Sequence, residues 1–345
     1  MDQWKPKTLS LFLPGDHASA ADLYMNLRHT TRITLQPLDE ESPAATLPAA
    51  CLIPCGFEDN DGGLPWPGHT HPAGRLLQEY FSHESRFLMF RLTGWEKWPN
   101  RGKGKKFAVS FEIGSSPAAP PRVTRESFAI NTVCAVNAFP HTTRPIIVDH
   151  RKDAYLLRPE GPHPEHTTLL AVKSVTGYAP KTQTIRQWQA FEHFGFQNGQ
   201  PVYYVTRKGA QDFLSLCYPK DLPLAENEVL SIDLTCSNGD LAQTLRAGDI
   251  RLPTPATPPG VHFRNITAVT PRTLPPSREG AASRLCAHII ENQQSLEETL
   301  RAHLERYAGD KPDHLKRIAG IESITVSPAT ESISGIDVAG REIRL

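Results

Sequence analysis

Apolar and polar residues near position 80 repeat with the spacing of an α-helix that has one apolar side. The apolar positions, which recur three or four residues apart, are Leu76, Leu77, Tyr80 and Phe81. The polar positions, which fall on the other side, are Arg75, Gln78 and Glu79. Pro72 suits the first helical turn, where its missing N–H costs nothing. Because a helix this short is marginal by itself, we expect it to pack against the strand-like apolar run at 87–92.

The first 35 residues have the pattern of a strand, a helix and a second strand. Leu9, Leu11 and Leu13 alternate with polar residues, which indicates a strand. Asp16 or Ser19 can cap a helix that continues to position 27. Further along, a turn rich in glycine and lysine separates the strand candidates 87–92 and 107–113. This arrangement predicts a long hairpin.

From position 126 the pattern is almost entirely strand-like. Short apolar runs are bounded by Pro, Gly, Asn or Asp, and several strands spaced in this way are typical of a sandwich or a barrel. The predicted strands are 127–138, 145–148, 154–157, 169–175, 202–206, 212–218 and 229–235. The dipeptide Asn238-Gly239 then marks a turn, after which Asp240 can cap a short helix.

The C-terminal part follows a proline-rich stretch, 253–280. A helical pattern runs from 281 to 308 with a break near 292–295, and two or three short strands are expected between 320 and 345. The fold class predicted is therefore α+β and β-rich, with several domains. The predicted segments are an α+β domain at 1–120, a strand-rich domain with sandwich-like or barrel-like sheets at 121–252, a linker at 253–280, and a helical segment with strands at 281–345.

The second half of the C-terminal helical segment carries a narrow apolar stripe with charged edges. Its members are Leu296, Leu300, Leu304 and Tyr307. Such a stripe often lies on its own domain, but it can also dock into a neighbour's groove. Because proline-rich sequence separates it from the rest, we expect an exposed surface at Leu300 and Leu304 that binds a partner or a second copy.

Composition excludes some functions. The chain carries 37 acidic and 37 basic residues, so it lacks the positive field of a nucleic-acid-binding protein. Its 31 prolines are about twice the average share, which suits long connections and interaction surfaces. No stretch approaches the ~20 apolar residues of a membrane helix, and residues 1–15 do not fit a signal peptide. We therefore expect a cytoplasmic protein without direct membrane insertion, with its six cysteines reduced.

Candidate chemistry is sparse. His69 and His71 could begin a metal site, with Cys51, Cys55 and His83 nearby, but a Cys-x3-Cys spacing is not usual for zinc. Acid–base pairs, such as Asp149 with His150 and His141 or Asp212 near Lys208, arise easily among 14 histidines and 37 acids. The sequence has no nucleophile elbow, P-loop or dinucleotide loop, so no cofactor is predicted. Four tryptophans, Trp66, Trp95, Trp98 and Trp188, are candidates for the core or for an interface.

The order of several motifs resembles the TssF (ImpG/VasA) family of the bacterial type VI secretion system. The most specific is the Arg75–Phe81 block, preceded by Gly56-Phe57 and Leu64-Pro65. Similar passages occur at 11–27 and 284–296. Further motif positions are Asn137, Phe139, Pro145, Asn238, Asp240 and Leu241. Gly239 and Arg144 replace residue types that are usual in the family, and family members continue beyond both ends of the matched pattern.

The resemblance implies a structural baseplate wedge subunit without catalytic activity or cofactor. It also implies TssG-, TssK- and TssE-like partners around a VgrG hub, at the cytoplasmic face of the inner membrane. Two alternatives come from the residues themselves: a metal-dependent hydrolase that uses His69 and His71, or a carbohydrate-binding β-sandwich with exposed tryptophans.

Overall fold

A computed structural model describes most of the chain, in two compact units. The described residues are 6–39, 41–58, 61, 63–64, 66, 72–116, 119–161, 163–191, 199–220, 227–271, 296–333 and 336–344. Unit 1 comprises residues 1–134 and 273–345, and unit 2 comprises residues 135–272.

Unit 1 begins with the predicted strand, helix and strand: β1 (Leu9–Phe12), α1 (His17–Arg28) and β2 (Thr30–Pro37). Asp16 caps α1, because its carboxylate accepts a hydrogen bond from the Ser19 amide at 2.9 Å. The next strands are β3 (Ala45–Pro48), β4 (Leu52–Pro54), β5 (Met89–Leu92), β6 (Phe107–Ile113) and β7 (Ala129–Ile130). They form two sheets, with orders β4-β5-β1-β7 and β3-β2-β6.

The predicted hairpin between β5 and β6 is wrong, because the two strands belong to different sheets. Trp95 and Trp98 lie in the connection and are both buried in the core of unit 1. Their indole N–H groups donate to the carbonyls of Leu92 at 2.9 Å and Pro43 at 3.1 Å. The connection therefore passes through the core and cannot fold back as a tight turn.

The remaining elements of unit 1 are α2 (Pro72–Ser82), α3 (Leu296–Ala308), α4 (Pro312–Ala319) and the hairpin β16 (Thr325–Ile333) with β17 (Ile336–Arg344). The predicted helix near position 80, the helix ending at 308 and the C-terminal strands are confirmed, whereas 281–295 lies outside the described residues. Phe81 of α2 packs with Ala308 and Ile318 of the C-terminal helices, and Leu77, Tyr80 and Leu304 join them. α2 thus packs on the C-terminal helix pair, and Tyr80 also contacts Phe87 of the predicted 87–92 run, with ring centroids 5.6 Å apart.

The described part of unit 2 contains eight strands: β8 (Phe139–Thr142), β9 (Ile146–Val148), β10 (Tyr155–Leu156), β11 (Thr168–Ala179), β12 (Thr184–Ala190), β13 (Val202–Lys208), β14 (Gln211–Cys217) and β15 (Glu228–Ser237). Their order is β10-β14-β13-β12-β11-β15-β8, and β9 also pairs with β15. All pairings are antiparallel except that of β12 with β13. The sheet curls into a half-barrel, which confirms a β-rich α+β fold with several sheets.

The strand predicted at 127–138 is largely wrong. A 3-10 helix, Arg125–Ser127, and the two-residue strand β7 are its only regular parts. Asn131 has φ of 56°, a left-handed conformation that a continuous strand does not accommodate. The expected short helix near 240 is a 3-10 helix, Gly239–Thr244, whose N-cap is Asn238, so Asp240 lies in its first turn rather than at the cap.

The two units differ from the predicted segments in their boundaries. Because β7 pairs with β1, the chain stays in unit 1 until residue 134 and not 120. Residues 253–271 belong to unit 2 instead of forming a linker. The Asn265 side chain holds this stretch by accepting from the amides of Gly248 and Ile250 at 3.0 and 2.9 Å. Packing on α2 places the described residues after 295 in unit 1 rather than in a separate segment.

Candidate functional site

Glu79 is the centre of the Arg75–Phe81 motif. Its side chain is buried, although the helical pattern placed it on the polar side of α2. Oε1 accepts hydrogen bonds from the Trp66 indole at 2.7 Å and from the amides of Gly63 and Leu64 at 3.1 and 3.3 Å. Oε2 forms an ion pair with Arg86, which is also buried. Glu79 therefore binds the preceding loop instead of facing solvent.

The balance of burial and partners decides the charge of Glu79. Burial favours the neutral acid and raises the pKa. The hydrogen bonds from Trp66 and Arg86 and the charge of Arg86 outweigh burial, so the pKa of Glu79 is lowered overall. The carboxylate is thus ionised inside the fold, where it holds loop and helix together.

Two further motif residues, Arg75 and Gly56, form hydrogen bonds within the same loop region. Arg75 is buried, and its Nη2 donates to the carbonyl of Glu58 at 3.0 Å. Gly56 donates its amide to Asp61 at 2.9 Å, and Arg91 donates to the same carboxylate at 3.0 Å. Of the other positions in the helix, Gln78 is exposed and Leu76 is half-buried, whereas Pro65 lies outside the described residues.

Gly56 occupies a position where any side chain would be strained. Its φ is +99°, and a Cβ there would lie 2.8 Å from Cδ1 of Phe87, closer than real Cβ atoms come. The neighbouring Phe57 stacks edge-on against Phe87, with ring centroids 5.3 Å apart. The Gly-Phe pair of the motif therefore closes the loop over the Phe87 ring.

A second charged cluster in unit 1 surrounds Glu84, in the 3-10 helix Glu84–Phe87. Its carboxylate lies 3.0 Å from Nε2 of His314 and 3.4 Å from Nδ1 of His17, and it forms an ion pair with Arg317. Burial lowers the pKa of both histidines, and Glu84 opposes that effect. The cluster connects α1 and α4 through one carboxylate.

Only some of the motif positions in unit 2 lie close to one another in the structure. Asn137 and Asn238 are 101 positions apart in the chain, yet Oδ1 of Asn137 accepts from the Asn238 amide at 3.1 Å. Phe139 packs against the core of unit 2. Pro145, Asp240 and Leu241 are exposed, so their places in the motif are not explained by burial.

The sequence pattern missed a buried carboxylate at the start of β15. Glu228 accepts from the Trp188 indole at 3.2 Å and from the Tyr218 hydroxyl at 3.2 Å, and it lies 3.6 Å from Nη1 of Arg186. Burial, followed by the charge of Glu228, raises the pKa of Tyr218 well above its usual value. The sequence does contain one signal of this site, namely a glycine inside a long strand. That glycine is Gly177, where a Cβ would lie only 1.7 Å from Glu228 Oε1.

The apolar stripe on α3 does not have the expected exposure. Leu300, Leu304 and Tyr307 are half-buried, because Leu304 and Tyr307 pack against Phe81 and Ile318. The side chain of Leu296 lies outside the described residues. Leu300 and Leu304 are thus less exposed than expected, and binding of a partner by this stripe stays a prediction.

The described part of the chain gives little support to the two alternative functions. His69 and His71 lie outside it, and within it no group of three or more His, Cys, Asp or Glu side chains is placed to hold a metal ion. Trp95, Trp98 and Trp188 are buried, and Trp66 is half-buried against Glu79, so these tryptophans do not form an exposed sugar-binding row. No described helix combines the length and apolarity needed to cross a bilayer.

Comparison with known proteins identifies the fold and then the family. A chain of the TssK-TssF-TssG baseplate subcomplex of the type VI secretion system, solved by cryo-electron microscopy, superposes with a TM-score of 0.72 at 20% identity. The match covers 99% of this chain and 65% of that chain, which shows that the fold is shared. The type VI secretion system component TssF1 of Pseudomonas aeruginosa is 22% identical over 373 residues. That alignment covers 98% of this chain and 60% of TssF1.

The sequence model described as "Type VI secretion system, TssF" matches residues 1–345. The protein belongs to the TssF family, as the motif resemblance indicated. The chain spans about two thirds or less of the length of the relatives it matches.

Proposed function

We propose that this protein is a structural subunit of the type VI secretion baseplate. The observation that carries the proposal is family membership along the whole chain, supported by a fold shared with a chain of the TssK-TssF-TssG subcomplex. The partners that follow are TssG-like and TssK-like proteins. A TssE-like protein and a VgrG hub are further expected partners, and the site of action is the cytoplasmic face of the inner membrane.

The proposed mechanism is packing rather than catalysis. The charged groups of the family motif, Glu79 with Arg86 and Arg75 with the loop at 58, are engaged inside unit 1. Buried ion pairs of this kind favour one arrangement over others, because breaking one partner strands the other charge. Such rigid units suit a scaffold that transmits force when a sheath contracts.

A genetic experiment in the native bacterium tests the role. Deletion of the gene should abolish assembly of fluorescently labelled sheaths and secretion of the tube protein, and the intact gene supplied in trans should restore both. The Glu79→Ala variant should restore neither, whereas Gln78→Ala, at the exposed neighbouring position, should restore both. Normal sheath assembly in the deletion strain would contradict the proposal.

A further inference from the structure

The outer face of unit 2 carries a row of apolar side chains in register across four strands. Ile147 of β9 pairs with Val229 of β15, Val229 pairs with Tyr178 of β11, and Tyr178 pairs with Ile185 of β12. Side chains of directly paired residues lie on the same face of a sheet. With strands about 4.8 Å apart, the row is ~14 Å long.

This row lies on the face opposite the core. Along β15 the neighbours Glu228 and Leu230 are buried, whereas Val229 between them is half-buried. Ile147, Tyr178 and Ile185 are 65%, 43% and 71% exposed. Four apolar residues in consecutive register on a solvent-facing surface form a patch of the kind that marks protein interaction sites.

At the Ile147 end the row opens into a cleft of about 520 Å³. The apolar part of its wall includes Ile147, Leu156 and Phe213, and the charged part is Lys152 and Arg158. Both cations are exposed, and neither forms an ion pair or hydrogen bond with any residue that the structure describes. No carboxylate is among the described residues that line the cleft.

We propose that this surface binds an acidic, apolar segment of a partner protein, with the carboxylates of that segment in the cleft and its apolar side chains along the row. The inference rests on the proposed function in one respect, namely that the partner is another baseplate protein. Charge complementarity selects the acidic segment, because the exposed cations Lys152 and Arg158 both favour carboxylate oxygens. An extended segment of about five residues spans the row.

Fluorescence anisotropy with purified full-length protein tests the proposal. The probes are the fluorescein-labelled peptide Gly-Leu-Val-Phe-Leu-Asp-Glu-Asp and its amide counterpart Gly-Leu-Val-Phe-Leu-Asn-Gln-Asn. The acidic peptide should bind at least about tenfold more tightly, and added salt should reduce this difference. Equal affinity for both peptides, or no binding of the acidic one at millimolar concentration, would overturn the proposal.

Variants locate the binding site. The double variant Lys152→Glu/Arg158→Glu should weaken binding of the acidic peptide by about tenfold or more. The control Lys173→Glu/Lys220→Glu, which reverses the same number of charges at exposed positions of unit 2, should leave binding unchanged. An equal loss in both variants would show attraction by overall charge only and would also overturn the proposal.

Failure of these peptide measurements together with intact co-purification of baseplate proteins would reject this surface without rejecting the baseplate function.

Discussion

Glu79 and Arg86 form an ion pair in which the side chains are only 2% and 7% exposed. Glu79 lies in α2, and Arg86 lies in the 3-10 helix that leads to β5. The pair therefore fixes the direction in which the chain leaves the helix and enters the sheet. The same carboxylate also accepts from Trp66 and from two loop amides, so one side chain organises loop, helix and strand.

Glu79→Ala should strongly destabilise unit 1. The substitution leaves the Arg86 charge buried without a partner, which typically costs about 3–5 kcal/mol. Urea unfolding followed by tryptophan fluorescence measures the change. Glu79→Ala combined with Arg86→Met should recover part of the loss, because the stranded charge is then removed. A loss below ~1 kcal/mol in the single variant would show that the pair is not important for stability.

Gly56→Ala should destabilise unit 1 by about 1–3 kcal/mol. The new Cβ meets the Phe87 ring at 2.8 Å, and the backbone is at φ of +99°. Gly15→Ala is the matched control, because Gly15 has φ of +118° but no atom within 4 Å of the added Cβ. The difference between the two variants in urea unfolding measures the clash with Phe87, and equal losses would show that backbone strain alone matters.

The helical period near position 80 was sufficient to predict α2, but it could not show what covers its polar side. Arg75 and Glu79 are buried through partners on a loop, at positions 58 and 63–66, that carries no periodic signal. Likewise, the apparent hairpin is a connection through the core, because Trp95 and Trp98 are buried there. Local spacing predicts elements, whereas tertiary contacts decide which sheet a strand joins and which charged side chains are buried.

Leu304→Ala should lower the unfolding free energy of unit 1 by about 1–2 kcal/mol. Leu304 is half-buried against Phe81 and Ile318, so the loss is smaller than for a fully buried leucine. The control Leu315→Ala changes an exposed leucine of α4 and should cost less than about 0.5 kcal/mol. Unchanged stability in Leu304→Ala, with loss of partner binding, would instead support the docking role expected for this stripe.

Unit 1 should lose stability as the pH falls below about 6.5. Burial lowers the pKa of His17 and His314, so both histidines are protonated more readily in the unfolded chain. Their contribution is present above the ordinary histidine pKa and is lost as pH falls toward the folded-state values. Burial raises the pKa of Glu84, but Arg317, His17 and His314 outweigh it and lower the pKa overall, so a second loss follows below about pH 4.5.

Urea midpoints at pH 7.5, 6.5 and 5.5 measure this dependence. His17→Asn combined with His314→Asn should flatten the change between pH 7.5 and 5.5. His163→Asn, at an exposed position of unit 2, should leave the profile as it is. A double variant with the full wild-type pH dependence would show that other groups, such as the His83 side chain with its pKa also lowered by burial, cause the effect.

Co-expression with the TssG-like and TssK-like proteins of the same bacterium, followed by native mass spectrometry of the purified material, tests the baseplate assignment most directly. A baseplate subunit should form one complex that contains all three proteins and survives size-exclusion chromatography at micromolar concentration. A well-folded chain that elutes apart from both proteins under these conditions would contradict the assignment.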